Sequence, residues 1–140
     1  MTERKKKTER GYKFVEHTAD AAVELRGESE EELFLNGLKA LADLMGVQKP
    51  SCLSRRVVLL EAEDDEMLLS AWLNEIIYLA CCRNFAPVSA KFNRLSGGKV
   101  EAVFSGGKSE LSREVKAATL CGLKIKRDSN GLSAKVIFDL

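Results

Sequence analysis

Apolar residues along this chain change period twice, and the changes mark out its elements. From Tyr12 to Arg26 they alternate with polar residues, which predicts two short strands, Tyr12 to Glu16 and Ala21 to Leu25, flanking the turn His17-Thr18-Ala19-Asp20. From Glu30 the period lengthens. Leu33, Phe34, Leu38, Leu41, Ala42 and Met45 recur at three and four residue intervals, predicting a helix from about Glu30 to Met45. Ser29 followed by Glu32 forms a capping box at its start, Gly46 suits a left-handed cap at its end, and Pro50 prevents its resumption. Arg56 to Ala62 follows as a β-branched and leucine-rich strand. Asp64 caps a second helix, Asp65 to about Arg83. Its Leu68, Leu69, Trp72, Leu73, Ile76, Ile77, Leu79 and Ala80 cover more than one face, so it is expected at the buried centre.

Beyond Phe85 the period falls to two. Strands are predicted at Val88 to Arg94, Val100 to Phe104, Leu120 to Lys126 and Leu132 to Phe138, with Gly97-Gly98, Gly106-Gly107 and Asn130-Gly131 as turn signals. Asp128-Ser129-Asn130-Gly131 has the composition of a hairpin connection. Strands and helices do not alternate regularly, which points to an α+β domain with a largely antiparallel sheet and two main helices. The chain has no internal repeat and no low-complexity linker.

A length of 140 residues allows one compact domain, expected over 12–140, behind a basic stretch at 1–11. Lys and Arg number 22 against 21 Asp and Glu, a formal charge of +1, too small an excess for a protein held to nucleic acid chiefly through phosphates. The basic residues are uneven, however. Arg4, Lys5, Lys6, Lys7 and Arg10 crowd the first ten positions beside Glu3 and Glu9, which fits a flexible solubilising tail or a contact arm. No apolar run reaches the length of a membrane span and the amino terminus lacks the apolar core of a secretory signal, so the cytoplasm is the expected location. Cys52, Cys81, Cys82 and Cys121 follow no zinc-ligand spacing and are expected to be reduced, mostly buried thiols.

The candidate chemistry sits in Glu16-His17-Thr18-Ala19-Asp20, where an imidazole, a hydroxyl and a carboxylate fall within four residues. His17 is the sole histidine, so it could pair with Cys121 as a dyad, yet nothing local to Cys121 resembles an activated nucleophile. A histidine beside a strand also serves structural hydrogen bonding. Asp139 stands at the end of the apolar run Val136-Ile137-Phe138, with the carboxylate of Leu140 next to it. Pairing of the last strand near the first hairpin would gather Asp20, Asp139 and that chain end, and like charges so close need a counter-ion. Oxygen ligands of this kind suit calcium, magnesium or manganese. Alternatively Asp139 is simply solvated at a frayed end, and Lys116 could offset the charge. Asn74 and Glu75 interrupt an apolar helix, either as a narrow solvated stripe, the commoner arrangement, or held inward to bond the site loop. No dinucleotide, P-loop, GxSxG or HExxH pattern occurs, so positive evidence for a self-contained enzyme is lacking.

Four separated segments carry a resemblance: Phe14 to Asp20 as F-V-E-H-T-A-D, Ser70 to Leu79 as S-A-W-L-N-E-I-I-Y-L, Val115 to Leu123 as V-K-A-A-T-L-C-G-L, and Lys135 to Leu140 as K-V-I-F-D-L. In order and spacing the chain resembles the archease family from about Tyr12 to Leu140. The resemblance implies a small α+β protein that is not itself an enzyme. It implies instead an accessory factor of the RtcB-type tRNA-splicing ligase, which joins RNA ends bearing a 2',3'-cyclic phosphate or 3'-phosphate to a 5'-hydroxyl. Such a factor promotes guanylylation of the ligase's histidine and multiple turnover, meets RNA indirectly through the ligase, and binds a divalent cation. The resemblance further implies Asp20 and Asp139 as carboxylate ligands, Leu140 completing the shell, and His17 and Lys116 as polar neighbours. Cys121 stands where many members have histidine, and Ala21-Ala22 where Val-Gly is common, so any role of that histidine is altered here. Two other classes stay open: a general RNA-associated or chaperone-like binding module, and a metal-dependent hydrolase using Asp20, Asp139 and His17. Neither the residues nor the resemblance sets an oligomeric state.

Overall fold

A computed structural model describes residues 11–15 and 20–140 of the chain. Glu16, His17, Thr18 and Ala19, and residues 1–10 of the basic stretch, therefore lie outside the described residues. Among the described residues seven strands and two helices follow in the order β1 (Tyr12–Val15), β2 (Asp20–Gly27), α1 (Glu30–Met45), β3 (Ser54–Glu61), α2 (Asp65–Cys82), β4 (Ala86–Ser96), β5 (Lys99–Gly107), β6 (Ala117–Asp128) and β7 (Gly131–Asp139). All pairings are antiparallel, as the irregular alternation of elements implied. The strands split into two sheets, a four-stranded one in the order β1-β2-β7-β6 and a three-stranded one in the order β3-β5-β4. Both helices pack against strands of each sheet, α1 on β2 and β4, α2 on β6, β4 and β3. The result is an α+β domain whose core runs through a helical layer.

Local signals set the ends of α1. The Ser29 hydroxyl accepts a hydrogen bond from the Glu32 N–H at 3.2 Å, and the Glu32 carboxylate accepts one from the Glu28 N–H at 2.7 Å. Gly46 ends the helix in the left-handed region, with φ of 69°, and its N–H reaches back to the carbonyl of Asp43. In α2, Asp64 caps through its carboxylate to the Met67 N–H at 2.8 Å. Trp72 is fully buried and lies 5.7 Å from the ring of Phe34, 5.0 Å from Phe92 and 4.9 Å from Phe104, joining helix to helix and both to the three-stranded sheet. Its indole N–H donates to the carbonyl of Phe34 at 2.9 Å, which satisfies the one polar atom it carries inward.

Two expectations need correction. Gly106-Gly107 is not a turn: both residues lie inside β5 and pair with β3 or β4. A Cβ on Gly106 would collide with the carbonyl oxygen of Ala86, so glycine serves close backbone approach there. The cysteines are free but not mostly buried; Cys52, Cys82 and Cys121 are exposed and Cys81 is half-buried. Small size let them read as core residues, whereas Cys52 lies in the segment between α1 and β3, and the others sit at the end of α2 or on β6 where the side chain is not enclosed by the core.

At the N-terminal ends of both helices, Glu30 and Asp65 share Arg127 from β6, at 4.0 and 3.0 Å. Glu30 Oε2 is enclosed without a hydrogen-bond partner. Burial, and after it the adjoining Asp65 carboxylate, raise the Glu30 pKa above the usual 4.5, while Arg127 acts against them. The fold thus favours the protonated form, a contribution present below pH 4.5 and lost as pH rises through the raised value. Glu30→Gln keeps the group neutral at every pH. Its melting temperature should match wild type near pH 4 and exceed it near pH 7, a difference read by thermal denaturation across that range. A constant offset would remove Glu30 as the source.

Candidate functional site

Asp20 opens β2 and Asp139 closes β7, and the register of these strands sets the two residues directly opposite one another. On the other side of β7, Ala117 of β6 also faces Asp139, and the Lys116 N–H donates to the Asp139 carbonyl at 2.7 Å. Three segments far apart in sequence therefore meet at one corner of the four-stranded sheet. Directly opposed residues on antiparallel strands place their Cβ atoms about 4.5–5.5 Å apart on the same face. Two carboxylates so placed are within reach of one cation held by oxygen bonds of about 2.3–2.6 Å.

The charge balance on this face is uneven along β2. Glu24, four residues beyond Asp20 and so on the same face, is held by Lys13 at 3.6 Å and Arg26 at 3.2 Å, and Lys135 lies opposite it in register. Among the described residues no ion pair reaches Asp20 or Asp139. Opposed like charges on a sheet repel. Asp20 is half-buried, which strengthens that repulsion, and Asp139 is exposed, which leaves the pair open to a ligand or a partner.

Asn74 holds the third segment in place. Its amide N–H donates to the Ala118 carbonyl at 3.0 Å and its amide oxygen accepts from the Ala118 N–H at 3.0 Å, so one side chain mimics a neighbouring strand on the free edge of β6. Asn74 is therefore not part of a solvated stripe; it is held inward as the less common alternative had it, but its partner is Ala118 of β6 and not the site loop. Further along the same edge, the Ile125 N–H donates to Glu66 at 3.1 Å. Neither bond has a signal in the sequence beyond a polar residue in an apolar helix, because each depends on where β6 passes α2.

Lys116 is exposed just before β6, its backbone tied to Asp139. Leu140 packs partly buried against the core, which steadies the chain beside Asp139. Cys121 is exposed on β6 four residues from Ala117, about 13 Å along the strand, where a register irregularity between Leu120 and Ile125 begins. The structure does not bring it to the carboxylate pair. His17 lies outside the described residues. Among the described residues no three His, Cys, Asp or Glu side chains gather, so the pair supplies two ligands and further oxygens would come from backbone, water or a partner. No helix among the described residues is long and apolar enough to cross a membrane.

Comparison with known proteins gives a consistent picture. The sequence model of the Archease protein family matches residues 12–140. A protein archease of Archaeoglobus fulgidus is 34% identical, the match covering 92% of this chain and 98% of the relative. A protein archease of Methanosarcina mazei is 32% identical over 92% of this chain and 95% of its own. A crystal structure from Thermotoga maritima, described as an archease and possible chaperone, superposes with a TM-score of 0.68 at 31% identity, covering 90% of this chain and 94% of that one. A solution structure from Methanobacterium thermoautotrophicum gives a TM-score of 0.65 at 25% identity, covering 94% and 99%.

Proposed function

Since the chain belongs to the archease family, we propose that it is an accessory factor and not an enzyme: an activator of an RtcB-type RNA ligase in tRNA splicing and RNA repair. The observation that carries the reading is the opposed pair Asp20 and Asp139, without a counter-ion among the described residues and held on strands of a packed sheet. Carboxylate oxygens suit a hard divalent cation, calcium or alternatively magnesium or manganese, with backbone oxygens of Leu140 as candidates for a third position. A bound cation would neutralise the corner and supply a charge able to meet a nucleotide phosphate. His17, Lys116 and Cys121 take supporting places in this reading, contacting the partner and not reacting.

The chain's own residues contribute position. Asn74 anchors Ala118, Lys116 ties its backbone to Asp139, and β7 joins that corner to the buried core through Phe138. A corner held this way presents its charge at a fixed place and loses little entropy on docking. Toward the ligase, it would help arrange GTP, metal ions and the histidine nucleophile, with RNA met through the ligase.

The test adds purified protein to the ligase with GTP and follows histidine guanylylation over many turnovers. Acceleration by wild type, lost by about tenfold or more in the Asp20→Ala and Asp139→Ala double variant, is the expected result. No acceleration, or full acceleration by the double variant, would end the mechanism. A chaperone-like binding module is the second reading, favoured by the description of the Thermotoga maritima relative.

A further inference from the structure

The free edges of the two sheets are not alike. β1 spans four residues. β4 breaks register twice, between Pro87 and Ser89 and between Phe92 and Arg94. β6 has its outer edge bonded by Asn74 and Glu66 of α2. Short length, irregular register and a covering helix are three of the devices by which sheet edges avoid pairing with other chains; β3 has none of the three, and charge, a fourth, sits only toward its ends, in Arg55, Arg56 and Glu61. All eight residues, Ser54–Glu61, pair with β5 in unbroken register, and among the described residues no hydrogen bond from outside β5 reaches this strand.

The outward face of β3 carries Arg55, Val57, Leu59 and Glu61 in alternation. Val57 is 68% exposed and Leu59 69%, the two most exposed large apolar residues described, while Val58 between them is 4% exposed and faces the core. Basic residues occupy one end of the strand and an acid the other; Arg55 makes no ion pair among the described residues, and Glu61 has one exposed contact with Lys99 of β5 at 3.4 Å, which leaves its carboxylate free to accept a second cation. A strand patterned this way complements itself when reversed.

We propose that β3 pairs antiparallel with β3 of a second copy of this chain, about a two-fold axis through Val58, joining the two three-stranded sheets into one of six strands. In that register Arg55 faces Glu61 of the second copy at both ends, and Val57 faces Leu59 twice between them. All four pairs lie on one face, because directly opposed residues point the same way. A one-residue slip would set Arg55 against an apolar residue and move the stripes to opposite faces, so the register is specified. An unrelated partner strand would not require the reversed charge pattern, which favours a second copy as the occupant. Two eight-residue edges bury less than about 1,200 Å², so the dimer is a reversible one of about micromolar or weaker affinity. The carboxylate pair lies on the other sheet and stays open in the dimer.

Sedimentation velocity over about 1 μM to 1 mM tests this directly. The wild-type chain should pass from monomer to dimer as concentration rises. Arg55→Glu alone and Glu61→Arg alone each set like charges against one another at both ends and should weaken association about tenfold or more. An equimolar mixture of the two variants restores both opposite-charge pairs and should recover the dimer. Val57→Lys should also weaken it, and all three exposed positions should leave the circular dichroism spectrum unchanged. A wild-type chain monomeric throughout, single variants that associate like wild type, or a mixture that associates no better than its components would each overturn the proposal.

Discussion

Calcium at about one hundred times its dissociation constant is expected to raise the unfolding free energy of the wild-type chain by about 2.7 kcal/mol and that of Asp139→Asn by almost nothing. A cation that binds the folded corner and not the unfolded chain stabilises by mass action, and the corner exists only while β2 and β7 are paired in register. The sign reverses when a chelator removes divalent ions. Asp20 and Asp139 then repel across the sheet, and replacing either carboxylate by its neutral isostere relieves that repulsion, about 0.2–1 kcal/mol. The variant should therefore melt at or above wild type in EDTA and below it in calcium. Thermal melts in EDTA, calcium, magnesium and manganese read the crossing and rank the ions. Equal calcium gains in wild type and variant would place the ion elsewhere.

Trp72→Ala is expected to cost about 3–5 kcal/mol, the range for removing a large buried aromatic side chain. The indole fills the space between α1, α2 and the three-stranded sheet, and its loss removes contacts with Phe34, Phe92 and Phe104 together. Trp72→Phe keeps much of the volume and loses the hydrogen bond to the Phe34 carbonyl, so a smaller loss of about 1–2 kcal/mol is expected. Urea unfolding followed by circular dichroism distinguishes them, with the Ala variant's midpoint falling by on the order of 2 M at an unchanged slope. Similar midpoints for Trp72→Ala and wild type would mean that the helical layer is not the keystone of the core.

The helix α1 was legible to the residue, from Glu30 to Met45, because Ser29, Glu32 and Gly46 act within one turn of the chain. The strands were legible to within a few residues for the same reason, since a period of two is a local property. Their ends ran longer in the fold, as in β6, where pairing with β7 carries the strand back to Ala117. The division into two sheets was not legible, because alternation reports that one face is buried and not against which neighbour. Asn74 shows the limit most plainly. In sequence it is a polar break in an apolar helix, and only the passage of β6 alongside α2 turns it into a mimic of a missing strand. The exposed cysteines show the converse, small apolar residues whose burial depends on phase and neighbours.

By itself the sequence determined which segments are helix and strand, the antiparallel α+β class, and the two carboxylates that stand out from apolar surroundings. These follow from propensity, capping and periodicity, which act over a few residues. The tertiary structure alone decided that Asp20 and Asp139 face each other, that Glu24 has cationic partners where, among the described residues, they have none, and that β3 stands at the edge of its sheet. Register and edge exposure are relations between segments as many as 119 residues apart, the interval from Asp20 to Asp139, so burial of a shared core and no local preference sets them.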